Sequence, residues 1–258
     1  MTRDLTAVLD VFSVLGERVT DFDLQKFRVY LLPGWHSPSF SPLVLLPGES
    51  LELGDLRRIE ELVRKHAIQN PTLSPAPYFN FFAGEGLYDM EQIRAVCAEA
   101  GWVIDKDPLS IEVLGERLPV RVRPSLYVTL VDSGRSGLHR EYQDIIRRNF
   151  NADDNYLRAV EGVYRDAKAE SYTVLIGMIG TPAIAGGTVS IRKKLSFLTW
   201  GCVNTEYRNK GIHRLLISAC STVAMSHGVS TCAFATRNKL IRRKWDRYVE
   251  MFICRKIC

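Results

Sequence analysis

The chain has 258 residues, of which 46% are hydrophobic and 24% charged; this is ordinary globular usage and excludes a disordered or fibrous protein. At ~100–200 residues per domain, the length predicts one large domain or two small ones. No apolar stretch approaches the ~18 residues of a transmembrane helix, and Asp4 and Asp10 argue against a secretory signal. The six cysteines form no CxxC pair, which favours reduced thiols in a cytoplasmic protein over a disulfide framework or a metal site.

The net charge of +5 is distributed unevenly along the chain. Residues 1–118 carry 11 Lys+Arg and 18 Asp+Glu, a net charge of −7, whereas residues 119–258 carry 23 and 11, a net charge of +12. This asymmetry predicts two domains, 1–118 and 119–258, joined by a linker over 115–124. The basic half should attract an anion: a phosphorylated cofactor, an acidic substrate, a nucleic acid or the acidic first half itself.

Strands and helices alternate in the first half. The apolar residues Leu56, Ile59, Leu62 and Val63 recur with a helical period, which predicts a helix over 55–67. By similar reasoning, helices are predicted over 5–16, 55–67 and 88–101, and strands over 27–32, 42–47, 77–82, 102–105 and 109–114. The first half is therefore expected to be a small α/β domain.

The second half has a longer run of elements. Helices are predicted over 139–150, 154–169, 209–228 and 239–249, and strands over 125–132, 172–179, 184–192, 195–203, 230–236 and 251–257. Their order, β-α-α-β-β-β-α-β-α-β, predicts an α/β (α+β) fold in which helices flank one sheet.

One segment of the second half has the composition of an anion-binding loop. The strand 195–203 leads into a short basic loop that contains Arg208, Lys210 and Gly211, and the loop leads into the helix 209–228. Backbone N–H groups and the positive dipole end of a helix N-terminus bind anions, and glycine lets the backbone approach a ligand closely. The loop can hold a pyrophosphate, although an ordinary strand-to-helix turn is the alternative. The GxxxxGK[ST] and GxGxxG patterns are absent, which excludes a Walker loop and a dinucleotide fingerprint.

The run Arg208-Asn209-Lys210-Gly211-Ile212-His213 resembles the acyl-CoA-binding pattern [RQ]-x-x-G-x-[GA] of the GNAT superfamily of N-acetyltransferases. It departs from that pattern at His213, where the family has a small residue. The element order over residues 120–258 is also similar to that family. The resemblance implies a GNAT-like central mixed sheet flanked by helices, with a smaller N-terminal α/β domain. The order of residues 1–118 is similar to the later half of a GNAT unit, which suggests a degenerate half-copy.

The resemblance also implies a co-substrate, acetyl-CoA or another acyl-CoA, and no metal. The family's two central strands splay apart, and a backbone N–H on the first bonds the thioester carbonyl; Gly201 would allow close approach there. Asn238 falls where the family often has an asparagine that meets the pantetheine arm, and a helix N-cap is its alternative role. The implied cofactor-binding residues are Cys202, Val203, Arg208, Asn209, Lys210, Gly211, Ile212, His213, Arg214 and Asn238.

The catalytic groups are less evident than the binding loop. Strands 195–203 and 230–236 contain no carboxylate or histidine, so no general base stands out. The position of the family's tyrosine acid falls on Trp245, whose indole can only donate a hydrogen bond, and Tyr248 one helical turn later is the candidate acid. Cys202 is a candidate nucleophile for a ping-pong transfer. The alternative for both Tyr248 and Cys202 is a packing role.

These observations predict an acyl-CoA-dependent N-acyltransferase in which an amine attacks the thioester directly in a ternary complex. The alternatives are a catalytically silent GNAT-like protein that binds CoA or nucleic acid, and an enzyme that acylates a nucleic-acid-linked amine. The chain ends on a single strand, 251–257, where the family fold usually has two. An uncovered sheet edge is prone to pairing, so a strand from residues 1–118 or from a second subunit of a homodimer is expected to cover it.

Overall fold

A computed structural model describes residues 2–18, 25–32, 41–69, 76–114, 124–131, 136–166, 169–229, 231–238, 241 and 247–257. They form two compact units, one comprising Met1–Val113 and Ala235–Cys258, the other Leu114–Phe234. The boundary at Val113 lies beside the predicted linker. The C-terminal segment groups with the first unit, although it follows the second in sequence. Whether residues 1–118 and 119–258 act as separate domains stays a prediction.

The described residues contain six α-helices and twelve β-strands. The helices are α1 (Thr2–Phe12), α2 (Leu53–Gln69), α3 (Met90–Glu99), α4 (Ser136–Phe150), α5 (Asp154–Asp166) and α6 (Ile212–Ser226). The strands are β1 (Glu17–Arg18), β2 (Phe27–Leu31), β3 (Leu43–Leu45), β4 (Tyr78–Phe82), β5 (Trp102–Ile104), β6 (Leu109–Leu114), β7 (Leu126–Val131), β8 (Glu170–Met178), β9 (Ala183–Arg192), β10 (Leu195–Val203), β11 (Thr231–Thr236) and β12 (Tyr248–Lys256). None of the helices in the described ranges is long and apolar enough to cross a membrane.

The first unit is built on a mixed sheet. Its strands lie in the order β1-β2-β3-β4-β12-β6, and β5 also pairs with β12. Strands β3 and β4 are parallel and are connected through α2, whose predicted apolar face, Leu56, Ile59, Leu62 and Val63, is buried. This agreement follows from the 3.6-residue period, which places those four side chains on one side of the helix.

Strand β12 connects the end of the chain to the first unit. It runs antiparallel to β4, β5 and β6, with register pairs that include Met251 with Phe82 and Tyr248 with Glu112. The prediction that a strand from residues 1–118 covers the C-terminal strand is therefore confirmed. The predicted helix over 239–249 is wrong at its end, because Tyr248 and Val249 belong to β12. Most of that predicted helix lies outside the described residues.

The second unit contains the sheet order β11-β10-β9-β8-β7. Neighbouring strands are antiparallel except β10 and β11, which are parallel and connected through α6. Helix α6 packs on one face of this sheet, where Leu216 lies near Gly187, and α4 packs on the other, where the Tyr142 ring lies against Gly186. The mixed α/β architecture confirms the predicted fold class.

Candidate functional site

Strand β10 separates from its parallel neighbour halfway along its length. Its register with β11 begins at Leu195 and ends at the pair Leu198–Phe234, whereas its register with β9 continues to Val203. In the described part of the chain, the edge of β10 from Thr199 to Val203 therefore lies outside the β11 ladder. An edge that is not used in a ladder has backbone donors and acceptors to offer a ligand.

A β-bulge interrupts β10 beside this opening. Thr199 pairs with Thr188 and Cys202 pairs with Gly186, so Trp200 and Gly201 together oppose Gly187. The extra residue of a bulge is left out of the ladder, and its peptide groups change direction. Trp200 has a φ of 46°, in the left-handed region that large side chains rarely occupy. Gly201 is exposed, so the backbone at the bulge is accessible from the face that carries α6.

The loop after β10 ends in an uncapped helix N-terminus. A 3₁₀ turn over Thr205–Tyr207 leads to Gly211, whose φ of 78° lies in the left-handed region that favours glycine. Among the described residues, no side chain caps the helix α6 that follows. A Cβ atom at Gly211 would meet no atom of the described residues within 4 Å. The first N–H groups of an α-helix have no partner within the helix, and the helix dipole makes this end positive. The start of α6 is therefore open to an anionic ligand.

Arg208 holds this loop in place. Its Nε–H donates to the carbonyl oxygen of Val203 at 3.1 Å, and its guanidinium also donates to Oδ1 of Asn149 at 2.8 Å. Asn149 in turn donates to Oδ1 of Asn204 at 3.1 Å and to the carbonyl oxygen of Ile145 at 2.9 Å. The sequence predicted Arg208 as a charge for the ligand, and the contacts add the role of tying the loop to β10 and α4. Nothing in the sequence indicated Asn149 or Asn204.

The remaining polar residues of the loop are on the surface. Asn209 has a φ of 61°, which asparagine tolerates, and Arg214 is exposed on the first turn of α6. Lys210 is exposed, with Nζ 5.4 Å from the centre of the Tyr207 ring. Lys210 and Arg214 thus place two exposed cations beside the open helix end, where they would add attraction for a phosphate.

His213 lies between the loop and the bulge. Its Nε2 is 3.9 Å from the position that a Cβ atom would take on Gly201, and the ring is half-buried. Burial lowers the pKa of His213 to about 4, so the imidazole is neutral at physiological pH. The family pattern has a small residue here. In this chain an imidazole with donor and acceptor nitrogens stands next to the accessible backbone of Gly201.

Cys202 is buried next to the bulge, and burial raises the pKa of its thiol to about 12. A nucleophilic cysteine must form the thiolate, which burial disfavours. The surroundings of Cys202 therefore support the alternative of a packed core thiol over the candidate nucleophile. Val203 and Ile212, also predicted at the cofactor site, are buried at the two ends of the loop.

Two predicted site residues belong to the other compact unit. The backbone N–H of Asn238 donates to Oγ1 of Thr236 at 3.1 Å, and its carbonyl oxygen accepts from the N–H of Ile241 at 2.9 Å. Tyr248 is 40% exposed at the beginning of β12. The helical spacing from Trp245, which lies outside the described residues, no longer applies to it. Its role as an acid stays a prediction.

The first unit contains a similar strand–helix–strand segment, but its helix N-terminus is closed. Helix α2 begins after Glu52, whose N–H donates to Oδ2 of Asp55 at 3.0 Å. Nζ of Lys26 pairs with Glu52 at 2.7 Å and with Asp55 at 3.3 Å. Two carboxylates at this end would repel an anion. Over the described ranges, no group of His, Cys, Asp and Glu side chains could hold a metal ion.

Solved structures with this architecture include N-acetyltransferases. A GCN5-related N-acetyltransferase from Kribbella flavida matches with a TM-score of 0.62 at 16% identity, covering 99% of this chain and 95% of that chain. A functionally unknown conserved protein from Staphylococcus epidermidis matches with a TM-score of 0.60 at 15% identity, covering 95% and 96%. A tandem GNAT protein from the clavulanic acid biosynthesis pathway matches with a TM-score of 0.54 at 12% identity, covering 98% and 94%. No family model and no curated protein matches the sequence.

The chain therefore has the GNAT fold, as its loop sequence and element order predicted. The identities of 12–16% establish the architecture and leave the reaction to be argued from the residues. The divergence of β10 from β11, the bulge and the open end of α6 all lie in the second unit, which contains most of the predicted site.

Proposed function

We propose that the protein is an acyl-CoA-dependent N-acyltransferase that transfers an acetyl or other acyl group to an amine. The observation that carries the proposal is the combination of an open helix N-terminus at Gly211 with the freed edge of β10 from Thr199 to Val203. The helix N-terminus suits a pyrophosphate, and the strand edge suits an extended chain that contains amides. CoA has both of these parts.

The cofactor would be held chiefly by backbone atoms. The N–H groups of Gly211, Ile212 and His213 would bind the pyrophosphate, with Lys210 and Arg214 adding charge. The pantetheine arm would extend along the exposed edge of β10 towards the bulge. The predicted contacts of Asn209 with the cofactor and of Asn238 with its pantetheine arm remain part of this proposal. Because Arg208 is engaged with Val203 and Asn149, its contribution would be to hold the loop in its binding conformation.

The reaction would proceed by direct attack. The amine nitrogen attacks the thioester carbonyl carbon, the C–S bond breaks, and the proton lost by the nitrogen replaces the acyl group on sulfur. A backbone N–H at the bulge would stabilise the oxyanion. Direct attack is favoured over an acyl-enzyme because the Cys202 thiol is buried and protonated. Neither β10 nor β11 carries a carboxylate or histidine, so the amine would bind neutral or lose its proton to water.

The experiment is a screen of amine acceptors that follows free thiol release from acetyl-CoA and identifies the acylated amine by mass. We expect turnover that requires both substrates and that persists in Cys202→Ser. Loss of turnover in a folded Cys202→Ser variant would contradict direct attack. If acetyl-CoA raises the melting temperature and no amine is acylated, the protein is instead a GNAT-like CoA-binding protein without catalysis.

Two further predictions concern binding partners: a nucleic acid and a second copy of the chain. The basic second half led us to expect that a nucleic acid, or an amine attached to one, is also a partner. Salt-sensitive binding of an oligonucleotide would support that expectation. A homodimer is the other, and the measured mass in solution tests it directly.

A further inference from the structure

Two consecutive residues of β10 have their side chains on the same face of the sheet. In a regular strand Thr199 and Trp200 would point to opposite faces, because side chains alternate. At the bulge both reach α5: Oη of Tyr164 lies 2.8 Å from Oγ1 of Thr199, and Nε1–H of Trp200 donates to Oη of Tyr156 at 3.0 Å. The bulge is thus fixed from one side by two tyrosine hydroxyls.

The two tyrosines are placed by the helix geometry of α5. They are eight residues apart, which is a little over two turns, so both lie on the face that packs against the sheet. The helix begins at a cap in which the N–H of Tyr156 donates to Oδ1 of Asp153 at 2.7 Å. The Tyr164 ring also meets the Trp200 ring edge-on, with centroids 5.3 Å apart. Trp200 is therefore held by a hydrogen bond and by an aromatic contact.

Trp200 needs such anchors because of its backbone. A bulky residue with a φ of 46° is strained, and such strain persists only where the surrounding structure enforces it. Glycine would adopt this conformation freely, but Gly201 occupies the next position, where the backbone is exposed. The chain thus keeps a large side chain at the strained position and the small residue at the accessible one.

We propose that Tyr156 and Tyr164 are positioning residues that hold Trp200 in its left-handed conformation and thereby aim the backbone of the bulge at the acyl carbonyl. This proposal rests on the proposed function for its catalytic consequence. Its structural part, that the two tyrosines determine the backbone conformation at Trp200–Cys202, stands independently of the reaction.

The tyrosines do not supply acid–base chemistry in this account. Burial raises the pKa of Tyr164 well above its ordinary value and also raises that of Tyr156, so both hydroxyls stay neutral over the physiological range. Two further buried hydroxyls also bond to each other: Oη of Tyr142 lies 2.9 Å from Oγ1 of Thr188. Neutral, mutually bonded hydroxyls fix geometry, so we expect their removal to leave the pH profile of turnover unchanged.

The test compares Tyr156→Phe with Trp200→Phe and with the double variant. Each substitution keeps an aromatic ring and removes the same hydrogen bond. Tyr172→Phe is the matched control, because it removes a hydroxyl that bonds Glu170 on β8. The first readout is the amide NMR spectrum of the ligand-free protein. We expect the resonances of residues 200–202 to move in all three test variants and to stay in place in the control.

The second readout is kinetic. We expect Tyr156→Phe to lower kcat by roughly 10–100-fold with the Kd for acetyl-CoA nearly unchanged, and the double variant to lose no more than either single variant. A lower melting temperature with unchanged amide resonances and unchanged kcat would overturn the proposal. If the resonances move but the wild type acylates no amine, the positioning role stands and the proposed function fails.

Discussion

His213 is the residue at which the loop departs from the family pattern, and its burial makes stability depend on pH. Its pKa is about 4 in the folded protein against an ordinary value of 6.5. Between these values the unfolded chain binds a proton that the folded chain does not. Above pH 6.5, His213 is neutral in both states and does not reduce the free energy of unfolding. As the pH falls from 6.5 towards 4, the proton that binds the unfolded chain lowers the free energy of unfolding.

We predict that the wild type loses about 1–2 kcal/mol more of its free energy of unfolding than His213→Gln does between pH 7 and pH 5, as measured by urea unfolding. Equal pH responses of the wild type and His213→Gln would show that the imidazole is solvated in the folded protein.

Arg208 gives a second prediction at the residue scale. Lysine keeps the charge but cannot reproduce two directed bonds from one planar group to Val203 and Asn149. We predict that Arg208→Lys weakens acetyl-CoA binding and lowers the melting temperature. Lys210→Gln should weaken binding by only a small, salt-dependent factor and leave the melting temperature unchanged. Wild-type affinity in Arg208→Lys would mean that the loop does not depend on this anchor.

At the scale of elements, hydrophobic period predicted most of the fold. The predicted and observed bounds of β6 and β10 are identical, at 109–114 and 195–203, because both strands have apolar segments bounded by clear breaks. The end of the last predicted helix was wrong, because Tyr248 and Val249 suit a strand that pairs with β6, and pairing partners distant in sequence override a local helical pattern. The glycine between a strand and a helix predicted the open N-terminus of α6, and the binding of an anion there stays a prediction. The bulge was not predicted, since nothing in the residue type of Trp200 indicates a left-handed backbone.

Strand β12 provides the prediction at this scale. It pairs with β4, β5 and β6, so its removal would expose the edges of three strands, and the buried residues Met251 and Ile253 would be lost from the core. We predict that a chain ending at Arg247 is insoluble or aggregates, because open edges pair with other chains. A chain ending at Lys256 is the control and should stay soluble. Cooperative thermal unfolding of the shorter chain would show that the sheet of the first unit does not need β12.

At the scale of the whole molecule, the two units contain related segments that differ at the helix N-terminus. An antiparallel pair followed by a parallel strand–helix–strand unit occurs as β2-β3-α2-β4 and again as β9-β10-α6-β11. This order is compatible with the predicted degenerate half-copy. The first segment has Glu52 and Asp55 at the start of its helix, whereas the second has Gly211. We therefore expect a single acyl-CoA per chain, bound by the second unit.

Calorimetric titration of acetyl-CoA into the wild type, Gly211→Glu and Gly228→Glu tests this account most directly. Gly211 and Gly228 flank the two ends of α6 with φ angles of 78° and 74°, and within the part of the chain that the structure describes, a Cβ atom at either position would meet no atom within 4 Å. The two substitutions therefore impose similar backbone strain, and only the first places a carboxylate at the proposed pyrophosphate site. We predict one site per chain, at least ~10-fold weaker binding in Gly211→Glu and near wild-type binding in Gly228→Glu. Equal affinity in the two folded variants, or two sites per chain, would contradict the account.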